Sequence, residues 1–597
     1  MALPADTWPV VAASAAVVGA YVASPIPWWT IIPLGVVAAV VRRPIAGVLL
    51  LVVVTNVLAV RSLDGLDPPP SEDFTGVVTL VTDPEPTIAG GLRFEVSSMY
   101  GHLIVDVRSP TAAEALESLL AGDRARVAGV TDELSRPTAW SRSRHLAGTL
   151  RIESVVSVTG GSAPTEAANA YRRLLDRGAA TLEPTQRSLL AGLVLGDDRA
   201  QPPQLTADFR AAGLTHLLAV SGQNVAFVMV VAGPFLRRLR IWPRFLLAVT
   251  VIGAFAVVTR FEPSVLRAAF VAVVALYAHT TARPSGSVRH LAIAICILVV
   301  VDPLLVHSLG FRLSVAATLG VLVLAPRIAA RLHGPRLVRE GLAVTTGAQL
   351  AVAPVLIPTL GPMPLAALPA NVAAGPIAGA LMVWGLAAGT VAGIVGGPVA
   401  ALVHLPSAIG LDLLERIAAV GASLPLGTVD LRHVGLLTLC AVVAVRLPAV
   451  RVGALALASI VVIAPVVAPE VRGARSAGWG ATVWVDGPVA VVELDRGADP
   501  VIVLKTLRET RTSAVGLIIV RSARPTLPAV VAAVQARFPV GAVIGPPGLD
   551  VPDLVMPPGG FRSVVGRFEV VVDRVGPPMR VRVGWLGHDA PIARAPG

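Results

Sequence analysis

Apolar runs close to membrane-spanning length, separated by short clusters of arginine, recur through most of this 597-residue chain. A helix needs about 20 apolar residues to cross the hydrocarbon layer. In lipid the backbone must satisfy its own hydrogen bonds, so runs of this length are expected to be helical. Three candidates, 9–22, 28–41 and 44–61, open the chain, with Arg42 and Arg43 between the second and third. Ten more fall near 212–236, 243–260, 264–281, 290–306, 313–326, 341–360, 364–387, 389–405, 433–447 and 451–469. The mean hydropathy of +0.74 fits this reading and argues against a soluble globular protein. "MALPAD" at the start carries no positive charge, so a cleaved signal peptide is not expected.

Charge supplies the topology. Arginines cluster at 237, 238, 240 and 244, at 283 and 289, at 327, 331, 336 and 339, and at 446 and 451. Cytoplasmic loops are enriched in Arg, so these clusters read as inner loops and the intervening loops as outer ones. The stretch "SAIGLDLLERIAAVG" (407–421) groups Asp412, Glu415 and Arg416 on one helical side, which places it flat on the outer surface. The chain carries a net charge of +11 with a single lysine, Lys505. Arginine offers a fixed charge and planar donors suited to polyanions, but the loop rule alone would also enrich it. Cys296 and Cys440 lie in apolar runs and read as small core residues, which excludes a disulfide framework or zinc cluster.

Two sections break the apolar pattern. After the acidic, proline-rich linker "LDGLDPPPSEDF", residues 71–158 read as five short strands with a helix, "PTAAEALESLLAG", between the third and fourth. That is the plan of a small OB-type barrel. Its eight arginines against twelve carboxylates give no bulk attraction for nucleic acid. Only Arg136, Arg142, Arg144, His145 and Arg151 form a locally basic group, and its four arginines are candidate contacts for a polyanion. Residues 165–200 are amphipathic and charged, which predicts a segment lying at the membrane interface. Residues 476–597 alternate strand and helix signals, an α/β layered pattern.

Within the second apolar section, "LLAGLVLGDDRAQPPQLTADFRAAGLTHLLAVSGQNVAFVM" (189–229) resembles the hallmark segment of the ComEC family of competence proteins. Leu195, Gly196, Asp198, Arg199, Phe209, Arg210, Gly213, His216, Leu217, Leu218, Ser221 and Gly222 carry the match. Gln223 and Asn224 stand where the family has Leu-His, and an amide cannot titrate. Three further segments resemble the family in order: Pro263, Ser264, Arg267 and Ala268; then "GFRLS" with Arg312 in place of the usual Gln; then Asn371 and Pro376.

The resemblance implies an inner-membrane channel for single-stranded DNA, an OB domain at 71–158, and a metallo-β-lactamase-like tail. In that tail a "THxxxDH" loop would cage two metals. Here Arg521, Pro525 and Thr526 occupy its positions, and His588 is the only histidine of the tail. The tail therefore reads as degenerate and non-catalytic, with no cofactor expected.

The fold expected is thus a polytopic α-helical membrane protein with an OB-like insert and a degenerate α/β tail, both soluble domains extracytoplasmic. Its parts are 1–63 (N-terminal spans), 71–158, 165–200, 205–469 (channel domain) and 476–597. His216, Ser221, Gly222, Gln223, Asn224, Arg267, Arg312 and Asn371 are the candidate path residues. An arginine inside a span costs at least ~2.5–3.5 kcal/mol, so it faces protein, a carboxylate or water. For Arg267 and Arg312 the competing reading is pairing with Glu262 or Asp302. Ser221 and Asn224 could equally be interhelical hydrogen-bonding groups. No P-loop occurs, so energy must come from a separate cytoplasmic helicase-like motor. An outer-face DNA receptor, membrane lipid and a second copy of the chain are the other partners considered. A secondary transporter of a small solute or a membrane scaffold are the competing functions.

Overall fold

A computed structural model describes residues 7–24, 44–87, 91–218, 220–281, 286–424, 426–446, 472–510, 512–552, 554–557, 559–574 and 578–586. The expected spans 28–41 and 451–469, and His588, lie outside the described residues. The chain opens with helices α1 (Trp8–Val22) and α2 (Pro44–Asp64), packed against each other. Gly19 makes their contact possible: an added Cβ would meet Thr55 Oγ1 at 2.3 Å. Small residues at such crossings let helix backbones approach closely in lipid, where packing and not water drives association.

The first soluble section is a closed barrel. Strands β1 (Asp73–Leu80), β2 (Glu85–Pro86), β3 (Leu92–Ser98) and β4 (Gly101–Val107) precede helix α3 (Pro110–Glu117). Strand β5 (Arg124–Glu133), the short helix α4 (Ala139–Ser143) and β6 (Leu146–Thr159) follow. The sheet runs β1-β5-β6-β4-β3 and returns to β1 through Thr79↔Ser97 and Leu80↔Val96, with β2 an appendage on β3. β4 and β6 pair in parallel, while β1–β5, β5–β6 and β3–β4 are antiparallel. This is the OB strand order, with the helix where the sequence puts it. Closure removes the exposed edges, and Phe74, Val96, Leu103, Val105, Leu150 and Ile152 fill the interior with Leu116 of α3.

The long apolar section holds α5 (Ala163–Gly178), α6 (Pro184–Leu195), α7 (Pro203–Ala211), α8 (Gly222–Leu236), α9 (Ile241–Val258), α10 (Pro263–Thr280) and α11 (Ser287–Val301). It continues with α12 (Leu309–Ala329), α13 (Arg336–Leu360), α14 (Ala367–Val395), α15 (Gly397–Ser423) and α16 (Leu431–Arg446). Two-residue strands β7 (Met363–Pro364) and β8 (Thr428–Val429) pair beside it. Among the described residues, seven helices are long and apolar enough to cross a membrane, so the protein is polytopic.

Two expectations are corrected here. Residues 165–200 do not form a strip at the membrane interface. α5 and α6 are built into the main bundle core, with Leu175, Leu189, Leu190 and Leu193 buried against α14 and its neighbours. The polar residues that made the segment look amphipathic, Asn169 and Arg172, are buried because each finds partners inside the protein.

Residues 407–421 do not form a separate surface helix either. They are the second half of α15, a single 27-residue helix running along α14. The turn between the two helices falls at Gly396 and Gly397, whose φ values of 68° and 58° suit glycine. Gly410 receives Leu381, and Gly421 sits against Ala212. Asp412 and Arg416 neutralise each other one turn apart at 2.8 Å, so the charges that suggested a surface helix stay exposed on a longer one.

The tail is an α/β unit. Strands β9 (Arg472–Ser476), β10 (Ala481–Asp486) and β11 (Val489–Leu494) precede α17 (Pro500–Glu509), β12 (Ala514–Val520), α18 (Leu527–Gln535), β13 (Val543–Ile544) and β14 (Leu554–Val555). These make one sheet ordered β14-β13-β12-β11-β10-β9. α17 and α18 cover one face through Val503, Leu507, Val530 and Val534. β15 (Arg562–Val565), β16 (Phe568–Arg574) and β17 (Arg580–Trp585) form a second sheet whose Phe568, Val570 and Val572 pack on the other face. The tail docks on the bundle by α17 against α7, where Arg508 pairs with Asp208 and Arg537 reaches the same carboxylate at 3.8 Å.

Candidate functional site

The helix that begins at Gly222 explains why "LAVSGQNVAF" breaks an apolar run. The chain makes a single 3₁₀ turn at Thr215–Leu217, extends, and enters α8 only at Gly222, so the expected span 212–236 is helical in its second part. Ser221 Oγ donates to Asn224 Oδ1 at 3.0 Å, and Asn224 Nδ2 donates to Leu193 O at 2.8 Å. Ser264 Oγ holds the preceding loop by bonding Val220 O at 2.9 Å. Asn371 does the same for the other side of the segment, donating to Gly213 O at 3.2 Å and Ala367 O at 2.7 Å. Ser221, Asn224 and Asn371 are therefore tied to the scaffold, and position the start of α8.

Beside them lies a cavity of about 2420 Å³, walled by α8, α10, α12, α13 and α14 and rimmed by both soluble domains. All eight candidate path residues reach its wall: His216, Ser221, Gly222, Gln223 and Asn224 from the hallmark segment, Arg267, Arg312 and Asn371 from three other helices. Seven arginines and lysines but four carboxylates line it. Of the four barrel arginines, Arg144 alone reaches the wall. It bonds the buried Glu95 at 2.5 Å, so it is not a free cation. Arg136, Arg142 and Arg151 are exposed on the barrel away from the cavity wall.

Arg267 is 7% exposed, and among the described residues its hydrogen bonds go to hydroxyls and not to Glu262. Its Nε donates to Ser314 Oγ at 2.7 Å and its Nη1 to Thr318 Oγ1 at 2.5 Å, both neutral partners on α12. Gly222 makes room for the rest of the guanidinium: an added Cβ would stand 2.2 Å from Nη2. Among the described residues Arg312 is not paired with Asp302 either, and its buried Nε has no hydrogen-bond partner. Asp302 instead bonds the ring of His145 from the barrel at 3.1 Å.

The sequence reading missed a second polar cluster, where the barrel meets the bundle. Asp83, on the loop after β1, bonds Arg172 at 2.9 Å and Arg260 at 2.8 Å. Arg172 also reaches Asp197 at 3.1 Å, and Asp197 pairs with Arg199 at 2.6 Å. Arg260 Nη2 donates further to Asn169 at 2.8 Å. Burial alone would raise the Asp83 carboxyl, but Arg172 and Arg260 hold it below the usual carboxylate range. The "GDDR" letters are thus a docking clamp. Their signal was present in the sequence, but Arg172 links Asp197 to Asp83, which lies more than a hundred residues upstream.

His145 supplies a prediction. Its bond to Asp302 raises its pKa against the opposing effect of burial, and His102 faces it at 6.5 Å. A raised folded pKa contributes stability that is complete below the unfolded value of about 6.5 and is lost as pH rises through the higher folded one. Docking of the barrel is expected to loosen as pH rises above about 6.5, read as faster proteolysis at the 64–72 linker. His145→Ala should abolish that pH dependence.

In the tail, Arg521 stands where a metal-site histidine would be expected and pairs with Glu493 at 3.3 Å. Ser522 Oγ donates to Asp495 at 3.1 Å. Among the described residues, no group of three or more His, Cys, Asp or Glu side chains is gathered to hold a metal. Residues 193–455 match the family model described as "Competence protein". No curated protein and no solved structure matches the chain.

Proposed function

With residues 193–455 matching the competence-protein family model, we propose that this membrane protein is an inner-membrane conduit for single-stranded DNA in natural transformation. The observation that carries the reading is a buried guanidinium, Arg267, facing a large cavity with only hydroxyls as partners. A strand carries one charge per nucleotide and needs stepwise compensation. Each contact must also be weak enough for release, which a single arginine held by two hydroxyls provides.

Both soluble domains belong on the outer face in this reading, where an outer DNA receptor would deliver the strand. The arginine-rich junction 325–340, from the end of α12 to the start of α13, faces the cytoplasm and a helicase-like motor in this reading. The tail contributes structure at the cavity rim and no catalysis, with Arg521 filling a ligand position by an ion pair.

The test uses the full chain in detergent and a fluorescent oligothymidylate at several salt concentrations. Affinity is expected to fall with a log–log slope of about −0.7 per phosphate engaged. Absence of binding, or binding indifferent to salt, overturns the conduit reading. Cleavage of the same oligomer on adding Mn²⁺ or Zn²⁺ overturns the non-catalytic tail.

A further inference from the structure

The barrel reaches the cavity wall through one short element. Ala139 and Trp140 in α4, with Ser143 and Arg144 at its end, are its only wall residues among those described. α4 lies in the connection between the fourth and fifth long barrel strands, one of the loops by which OB folds contact oligonucleotides. Trp140 is 51% exposed, and unlike the exposed Trp242, Trp384 and Trp479 it lies on the cavity wall.

Its position is fixed from several sides. Thr138 and Ser141 form a capping box around the start of α4, with bonds of 2.8 and 3.2 Å. The helix packs on residues 303–307 of the bundle. Arg144 stands over the indole with its guanidinium carbon 5.4 Å from the ring centroid, and is itself anchored by the buried Glu95. Next in the chain, His145 is fastened to Asp302. An indole on an element held this rigidly, with the guanidinium on it and about half its surface exposed, costs little entropy when a planar group stacks on it.

We propose that Trp140, backed by Arg144, is a stacking platform for an unpaired nucleobase at the barrel side of the cavity. The proposal rests on the conduit reading and deepens it: arginines contact the phosphates, while Trp140 takes one base at a time. Every base has a π-face, so the contact is tolerant of sequence. It also favours an unstacked strand over a duplex, whose bases are already covered. A tryptophan that merely anchored the protein at the lipid interface would sit on the lipid-facing perimeter, whereas this one lies on the cavity wall.

The experiment compares two probes on the full chain in detergent: an oligothymidylate and an abasic phosphodiester oligomer of the same length. Wild type is expected to prefer the thymidylate by about tenfold or more, the scale of one base–aromatic stack. Trp140→Ala should erase that preference without weakening the abasic probe, and Trp140→Phe should keep most of it. An unchanged preference in Trp140→Ala, or no preference in wild type, overturns the platform and leaves the conduit standing. Failure of wild type to bind either probe overturns both.

Discussion

Replacing Arg267 by alanine is expected to lower uptake of labelled single-stranded DNA about ten- to a hundredfold, the scale of one charged hydrogen-bonded contact. The thermal midpoint of the protein should not fall with it. Ser314 and Thr318 give the guanidinium two neutral partners, and no carboxylate pairs with it among the described residues, so the wild type carries an uncompensated buried charge. Removing such a charge relieves a desolvation cost. A residue kept for stability would behave the opposite way, with a lower midpoint and uptake reduced only in proportion. Gly222→Ala should reproduce the transport defect, because its Cβ would enter the space of the Arg267 Nη2 atom at 2.2 Å. Unchanged uptake in both variants would assign Arg267 to the scaffold.

The largest stability effect is expected at Asp83. Asp83→Asn leaves Arg172 and Arg260 without their shared carboxylate at a site where Arg172 is 4% exposed. Breaking one partner of a buried ion pair costs about 3–5 kcal/mol, and Arg172 would keep Asp197 as its one bonded carboxylate among the described residues, beside the Leu195 and Val258 carbonyls. The barrel should undock from the bundle before the rest unfolds, read as a separate early transition and as rapid cleavage at the 64–72 linker. The pH dependence has the sign of a depressed carboxyl. The stabilisation is complete above the unfolded value of about 4 and disappears as pH falls through the lower folded value. An Asp83→Asn protein that docks and melts like wild type would remove the clamp from the account.

How much of this was legible beforehand depended on whether the determining interaction was local. The barrel strands announce themselves because β5 alternates buried and exposed residues with period two. The turn into α8 follows from Ser221, Gly222 and Asn224 within one turn of chain. The two corrected segments failed for different reasons: at 407–421 the charges are exposed as read and the error lay in the extent of the helix. At 165–200, charge on one side of a helix reads as solvent exposure until its partner is known, and the partners of Asn169 and Arg172 lie 23 to 91 residues away. Likewise the eight path residues were selected one motif at a time, and nothing in their spacing said that they share one wall.

Apolar runs, strand alternation and the order of the motifs were enough to specify a multi-span membrane protein with a barrel insert and an α/β tail. Those signals come from periodicities of two and 3.6 residues and from the thickness of a bilayer, all of which act within one element. Which arginines are neutralised and which face open space was decided only when the helices packed. Arg172 and Arg508 found carboxylates, Arg144 found Glu95, and Arg267 found hydroxyls and a glycine. A charge's partner is fixed by through-space distance, and distance between remote segments belongs to the tertiary fold.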